Sequence, residues 1–197
     1  MTKDNEIRDH QTELLSDDWA KLRKHTFDLK LRDGSWSRQV RQTYDRGHAS
    51  VILPYDPVRG TVLLVKQFRL PVFLEGHKQS LIEACAGLLD DLDPEACIRK
   101  EAEEELGYRL RDVTKIYDIF MSPGSVTERL SFFIADYSPS DRISDGGGNP
   151  EEGEDIDVLE IPLTQAFALV ENGGIIDAKT VLLIQYAMLK RVVSAAQ

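Results

Sequence analysis

The stretch that decides the fold is GLLDDLDPEACIRKEAEEELG, residues 87–107. A glycine and a short acidic loop come first, and residues 94–106 then have the composition of a helix, which Gly107 ends. Asp93 followed by Pro94 is typical of an N-cap with proline at the first helical position, where the missing N–H costs no hydrogen bond. The stretch therefore predicts a loop that leads into a helix over residues 94–106.

Three glutamates of this helix are predicted to share one face. Successive residues of an α-helix are about 100° apart, so Glu101, Glu104 and Glu105 lie within an arc of roughly 100°, beside the apolar face, whereas Glu103 lies opposite. Like charges at this spacing destabilise a helix, and its last turn also disfavours anions. A divalent cation bound by carboxylate oxygens would offset the repulsion. The pattern favours a metal site, and the alternative is a solvated acidic face.

The rest of the chain alternates between strand and helix patterns. Strands are predicted over residues 21–30, 37–45, 49–55, 61–69, 81–85, 113–120, 130–137 and 158–161, and helices over 164–171 and 178–193. The first 18 residues are polar, of mixed charge and without a predicted element. The order of elements indicates an α/β protein with a mixed sheet that helices cover.

Composition limits the classes of function. The 197 residues are 42% hydrophobic and 29% charged, which suits one folded domain with a modest appendage. The formal net charge of −10 opposes binding to a nucleic-acid backbone, which requires clustered Lys and Arg. The longest apolar run, residues 181–189, is too short to span a bilayer, so we expect no membrane partner.

The termini and the cysteines suggest a location in the cell. Residues 1–18 lack the apolar centre of a secretory signal. Cys85 and Cys97 both stand beside apolar residues, which favours small core side chains over a disulfide or a metal pair. We therefore expect a cytoplasmic protein.

Residues 87–108 resemble the Nudix box, whose pattern is G-x5-E-x7-R-E-U-x-E-E-x-G-U with U aliphatic. Two positions differ: Asp93 stands where the pattern has glutamate, and Lys100 stands where it has arginine. The spacing between these two residues is also one residue shorter than the general pattern. The box nevertheless retains the three glutamates of the predicted metal face.

Further segments resemble the bacterial GDP-mannose pyrophosphatase branch of the Nudix superfamily. They include Tyr44-Asp-Arg-Gly47, Gln67-Phe-Arg69, Glu83-Ala-Cys-Ala-Gly-Leu88, Met121-Ser-Pro-Gly124, Val126-Thr-Glu128, Gly146-Gly-Gly148, Glu154-Asp-Ile156 and Lys179-Thr-Val-Leu-Leu183. Pro123 also resembles the proline of the related ADP-ribose pyrophosphatases. The resemblance implies a Nudix α/β/α sandwich over residues 47–197 and a β-rich arm over residues 1–46. A region of that size can hardly build its own core, so we expect the arm to pack across a twofold dimer. The resemblance implies that the arm exchanges strands in this homodimer.

By the same resemblance, Glu101, Glu105 and the carbonyl of Ala86 are direct metal ligands, and Glu104 is a ligand of a second ion or an outer partner. Glu154 would supply a further catalytic and metal-binding carboxylate from a loop, with Glu151 and Glu152 as alternatives. The substrate contacts that the resemblance implies are Trp19, Arg41, Gln42, Arg69, Ala86, Gly87, Leu88, Glu128 and Lys179. For Trp19, stacking on a purine and burial in a core are both open.

The implied reaction is hydrolysis of a nucleoside-diphosphate sugar, GDP-mannose above all, to GMP and mannose 1-phosphate. The implied cofactor is Mg²⁺, for which Mn²⁺ can substitute. One alternative is an ADP-ribose pyrophosphatase. Another, from a different class, is a module that binds a sugar nucleotide without cleaving it. The intact glutamates favour the enzyme, because a binding module has no need of a repulsive acid cluster.

Overall fold

Three strands at the start of the chain form an antiparallel sheet of their own in the computed structural model, which describes residues 6–192 apart from the side chain of Glu152. They are β1 (Ile7–Asp17), β2 (Lys21–Lys30) and β3 (Trp36–Asp45). The strand order is β1-β2-β3, so β2 is central. Residues 6–48, together with Phe120–Arg129, form one compact unit.

A seven-stranded sheet is the frame of the second compact unit. Its strands are β4 (Ala49–Asp56), β5 (Thr61–Gln67), β6 (Leu81–Glu83), β7 (Cys85–Leu88), β8 (Thr114–Phe120), β9 (Arg129–Asp136) and β10 (Asp157–Pro162). The main order is β10-β5-β4-β9-β8, while β6 pairs with β5 and β7 pairs with β4. Since β4 is parallel to β9 but antiparallel to β5 and β7, the predicted mixed sheet is confirmed.

Four α-helices accompany this sheet in the described part of the chain. They are α1 (Leu70–Leu74), α2 (Pro94–Glu101), α3 (Leu163–Glu171) and α4 (Ala178–Lys190). Successive residues of β4 from Ala49 to Leu53 are all buried, which requires cover on both faces of the sheet. The main core cluster joins Ile98 of α2 to Ile52 of β4 and Val65 of β5. The sheet therefore forms a rigid base for the helix that carries the glutamates.

The structure departs from the predicted elements in several places. Ile7–Asp17 is a strand although its side chains are exposed, because its backbone pairs with β2 rather than because a face is buried. The five-residue helix Leu70–Leu74, which has proline in its first turn, was also missed. The predicted strand 81–85 is two strands that pair with different neighbours. Val193, the last residue of the predicted final helix, lies outside the described residues.

Within residues 6–192, none of the helices combines the length and the apolar character needed to cross a membrane.

Candidate active site

Asp93 fixes the start of α2. Its Oδ1 accepts hydrogen bonds from the backbone N–H groups of Glu95 and Ala96, both at 3.1 Å, and Pro94 follows it. This is the N-cap that the sequence predicts. Asp93 therefore sets where the helix begins, and with it the positions of the glutamates in the last turns.

The helix changes its winding where the glutamates lie. After Glu101, the segment Ala102–Leu106 is a π-helical turn, and Gly107 ends it in the left-handed conformation at φ 78°. The prediction of a regular α-helix through residue 106 is therefore wrong in its last turn. Single π turns of this kind occur frequently at functional sites. The wider turn also means that the 100° spacing does not describe Glu104 and Glu105.

Glu105 is the buried acid of this turn, with only 2% of its surface exposed. Its Oε2 accepts a hydrogen bond of 3.2 Å from the backbone N–H of Ala86 on β7. Burial raises the pKa of Glu105 to about 7, and the charges of Glu101 and Glu154 act in the same direction, against hydrogen bonds from Cys85 and Ala86. A buried carboxylate in this setting is stabilised by a nearby positive charge.

Glu101 lies against the backbone of β7. A Cβ atom added at Gly87 would collide with the carboxyl group of Glu101, so a larger residue there would displace the Glu101 side chain. Next to it, the Cys97 thiol donates to the Leu88 carbonyl oxygen at 3.2 Å, and burial raises the pKa of this thiol to about 11. The β7 backbone, including the Ala86 carbonyl group, is thus held beside two of the proposed ligands.

The other two glutamates of the turn are engaged in ion pairs and are only partly buried. Glu104 lies 2.8 Å from the Lys100 ammonium, and Glu103 lies 2.8 Å from Nε of Arg109. Arg109 lowers the pKa of Glu103. Glu104 is therefore less enclosed than Glu105, although the sequence puts the two on one face.

A glycine loop brings Glu154 towards this turn. The N–H groups of Gly147 and Gly148 donate to the carbonyl oxygens of Glu105 and Glu104, at 2.9 and 3.1 Å. Glu154 accepts a hydrogen bond of 2.8 Å from the backbone N–H of Asn149, and a Cβ added at Gly148 would lie 2.5 Å from Glu154 Oε2. The loop therefore closes the C-terminal end of the helix and holds Glu154 through its backbone.

Two predicted substrate contacts, Arg69 and Lys179, meet at a residue for which the sequence predicts no role. Glu83, at the end of β6, is 3% exposed and lies 2.7 Å from Arg69 Nε and 2.5 Å from Lys179 Nζ. A charged residue followed by small residues in a strand pattern was the only available signal. Its burial depends on pairings that are distant in sequence.

The remaining predicted substrate contacts lie in the N-terminal unit. Trp19 is 68% exposed, so the alternative of a buried core tryptophan is wrong. Arg41 and Gln42 are exposed on β3. Glu128 Oε1 lies 2.8 Å from Arg46 Nε but outside hydrogen-bonding geometry, and this buried oxygen has no hydrogen bond within the described residues. The Arg46 guanidinium also lies 5.6 Å from the Trp19 ring.

The acids near Glu105 fit a hard divalent cation. Carboxylate and carbonyl oxygens are the ligands that Mg²⁺ and Ca²⁺ take, and Glu105 feels the charges of both Glu101 and Glu154. Counted by side chains alone, no three His, Cys, Asp or Glu residues of the described chain converge closely enough to hold an ion. The set therefore requires backbone oxygens such as that of Ala86, or water and substrate oxygens.

Comparisons with known proteins agree with this fold. Residues 6–44 match the family model described as the GDP-mannose pyrophosphatase NudK N-terminal domain, and residues 45–183 match the NUDIX domain. The chain belongs to the Nudix hydrolase family, an enzyme family that generally uses divalent metal ions.

Its similarity to individual proteins points to one branch of that family. The chain is 50% identical to the GDP-mannose pyrophosphatase of Pectobacterium atrosepticum over 181 residues, 91% of this chain and 93% of the relative. It is 49% identical to the GDP-mannose pyrophosphatase of Yersinia pestis over 184 residues, 93% of this chain and 92% of the relative. A crystal structure of an ADP compounds hydrolase superposes with a TM-score of 0.70 at 18% identity, covering 93% and 95% of the two chains. The predicted superfamily, branch and fold are confirmed.

Proposed function

We propose that this Nudix hydrolase cleaves the diphosphate of GDP-mannose with water and Mg²⁺, giving GMP and mannose 1-phosphate. The observation that carries the metal chemistry is the buried Glu105 carboxylate, which feels the charges of Glu101 and Glu154. The choice of substrate is supported by the relatives of about half identity, which are named for GDP-mannose. Mn²⁺ is proposed as a substitute cation.

Each proposed role follows from the chemistry of the residue. Glu101, Glu105 and the Ala86 carbonyl oxygen hold the ion, and Glu104 acts outside these ligands through its pair with Lys100. A bound Mg²⁺ supplies neutralisation of the diphosphate charge and polarisation of water. The Glu154 carboxylate accepts the proton that the attacking water loses.

Substrate binding is assigned to charged and aromatic side chains and to the backbone of β7. Arg69 and Lys179 contact phosphate oxygens, for which guanidinium and ammonium groups are suited. The backbone at Gly87 and Leu88, which follows Ala86 in β7, would contact the same diphosphate. Trp19 stacks on the base, and Arg41, Gln42 and Glu128 contribute further contacts to the substrate.

The substrate is tested by comparing kcat/KM for GDP-mannose and ADP-ribose at one Mg²⁺ concentration. We expect GDP-mannose to be preferred, with GMP and mannose 1-phosphate as the products. A preference of about tenfold or more for ADP-ribose, roughly 1.4 kcal/mol in transition-state binding, would move the chain to the neighbouring branch. Binding of both compounds without any turnover would instead favour the sensor module.

The assembly and the location are also proposals. We propose that residues 1–46 form an arm and residues 47–197 the hydrolase domain, and that the arm exchanges strands in a homodimer. The exposed apolar residues of β1 and β3, such as Leu14 and Val40, support this. A cytoplasmic location is supported by Cys85 and Cys97, which are buried free thiols.

A further inference from the structure

Glu83 is a buried carboxylate with two cationic partners. It ends β6, opposite Val65 of β5, and its Oε2 accepts from Arg69 Nε at 2.7 Å while its Oε1 accepts from Lys179 Nζ at 2.5 Å. A buried charge costs several kcal/mol unless it is paired and hydrogen-bonded. Each oxygen of Glu83 meets a different cation, so the carboxylate joins two groups that would otherwise repel each other.

The two cations come from distant parts of the chain. Arg69 follows β5 directly, whereas Lys179 lies in the first turn of α4. Because a helix N-terminus disfavours cations, local helix stability does not explain Lys179. The ammonium is held by Glu83 and by Asp177, whose Oδ1 lies 2.9 Å from Nζ. Its place next to Arg69 is therefore set by tertiary contacts.

The start of α4 is fastened to the strand that carries Glu83. The Ala84 N–H donates to Thr180 Oγ1 at 2.7 Å, and that hydroxyl donates to Asp177 Oδ2 at 2.5 Å. Thr180 itself is fully buried. These hydrogen bonds hold the backbone segments of Glu83 and Lys179 together. The charges of the two side chains are therefore held in a fixed arrangement.

Arg69 uses only one of its guanidinium donors in the contact with Glu83. It donates to Glu83 through Nε, so this hydrogen bond does not use the two terminal guanidinium nitrogens, and its side chain is partly exposed. Two parallel donors of this kind match two oxygens of a phosphate group. The contact with Glu83 therefore orients Arg69 without occupying the pair of donors best suited to phosphate.

We propose that Glu83 is a positioning residue that holds Arg69 and Lys179 together as a clamp for the substrate diphosphate. It acts through these two cations and does not touch the reacting atoms. The inference rests on the proposed function, in which both cations contact phosphate. Its effect is on binding of the diphosphate, before any chemical step.

Binding of GDP in the presence of Mg²⁺, measured by calorimetry, tests the clamp. In Glu83→Gln the negative charge is lost and an NH₂ donor replaces one of the two oxygens, so one of the two cations faces a donor instead of an acceptor. We expect the Kd for GDP to rise about tenfold or more, as for truncation of a buried charge pair. In turnover, KM for GDP-mannose should rise while kcat changes by less than about threefold. An unchanged Kd would overturn the proposal.

A mutant cycle with Lys179 separates positioning from a general effect on stability. Lys179→Met should weaken GDP binding by itself. If Glu83 acts through Lys179, Glu83→Gln should weaken binding less in the Lys179→Met background than in the wild-type protein. Equal effects in both backgrounds would contradict the clamp.

Two further variants distinguish a loss of the clamp from a general loss of stability. Glu160 is a control outside the proposed clamp, because it also forms an ion pair with a cation, Arg59, and accepts a hydrogen bond of 2.9 Å from Tyr137. Glu160→Gln should lower the melting temperature without changing the Kd for GDP, and a similar loss of GDP affinity would contradict the clamp. Glu83→Asp retains the charge but is one methylene shorter, so its Kd should be intermediate. If Glu83→Gln does not fold, a wild-type Kd in Glu83→Asp overturns the proposal.

Failure of the clamp and failure of the proposed function give different results. If the wild-type protein does not hydrolyse GDP-mannose but its Kd for GDP still depends on Glu83, the clamp stands and the substrate is wrong. If the protein hydrolyses GDP-mannose and Glu83→Gln lowers kcat with an unchanged Kd for GDP, the clamp is wrong. An increased Mg²⁺ requirement in that variant would assign Glu83 to the metal instead.

Discussion

At the scale of single residues, neighbouring glutamates that look equivalent in the sequence differ in how deeply they are buried. Glu103, Glu104 and Glu105 follow one another, yet Glu105 is enclosed while the other two reach Arg109 and Lys100. An exposed ion pair contributes little to stability, whereas a buried carboxylate carries a desolvation cost. A charge at Glu105 therefore does not serve folding, which supports our proposal that Glu105 binds a cation.

Glu105→Gln tests this reading. The amide keeps the size of the side chain and removes the charge, so a lost metal ligand should lower kcat/KM by at least about 100-fold, on the order of 2.7 kcal/mol. Without metal, the melting temperature should stay level or rise, because burial disfavours the charged form that the substitution removes. Steady-state kinetics and thermal unfolding in a chelator measure the two effects.

Glu103→Gln is the control in the same helical turn. It removes one partner of a partly exposed pair with Arg109, so activity should change little. Equal and small losses of activity in both variants would argue that the acids form a solvated face rather than a metal site.

At the scale of elements, the sequence predicts the helix and its cap but not its last turn. Asp93 and Pro94 carry local signals that the structure confirms. The π turn Ala102–Leu106 could not be predicted, because it depends on packing against the sheet and on the loop that closes it at Gly147 and Gly148. The ion pairs of Glu83 could not be predicted for the same reason, since its partners come from other elements.

The glycine loop yields a prediction about which loop carboxylate serves the reaction. Glu154 acts electrostatically on Glu105 and is held by the Asn149 N–H, whereas Glu151 is exposed in the 3₁₀ turn Pro150–Glu152. We therefore expect Glu154→Gln to lower kcat by about 100-fold or more, the range for a lost general base, and Glu151→Gln to change it little.

The third candidate for the loop carboxylate, Glu152, is included in the same set of kinetic measurements. Glu152→Gln should behave like Glu151→Gln, and all three variants are measured at saturating GDP-mannose and Mg²⁺. A larger loss of kcat in Glu151→Gln or Glu152→Gln than in Glu154→Gln would transfer the proposed role to that residue.

At the scale of the whole molecule, the sequence predicts the sheet better than the arm. The buried strands carry continuous apolar runs, so β4 and β5 were found within two residues of their bounds. In β1 every side chain is exposed, and nothing in its pattern of residues marks a face. Pairing with β2 supplies its structure, and such pairing has no local signature.

The last prediction concerns assembly. Leu14 of β1, Val40 of β3 and Trp19, which lies between β1 and β2, are each more than half exposed, and a partner subunit could cover them. We expect sedimentation at micromolar concentration to show a dimer and removal of residues 1–46 to abolish both dimerisation and activity. Val40→Glu should weaken the dimer, because it places a charge at an exposed apolar position of β3 that we expect the partner subunit to cover. Val58→Glu is the matched control, since this valine lies in an exposed turn of the other unit and should leave assembly unchanged. A wild-type monomer, or equal effects of the two substitutions, would contradict strand exchange through the arm.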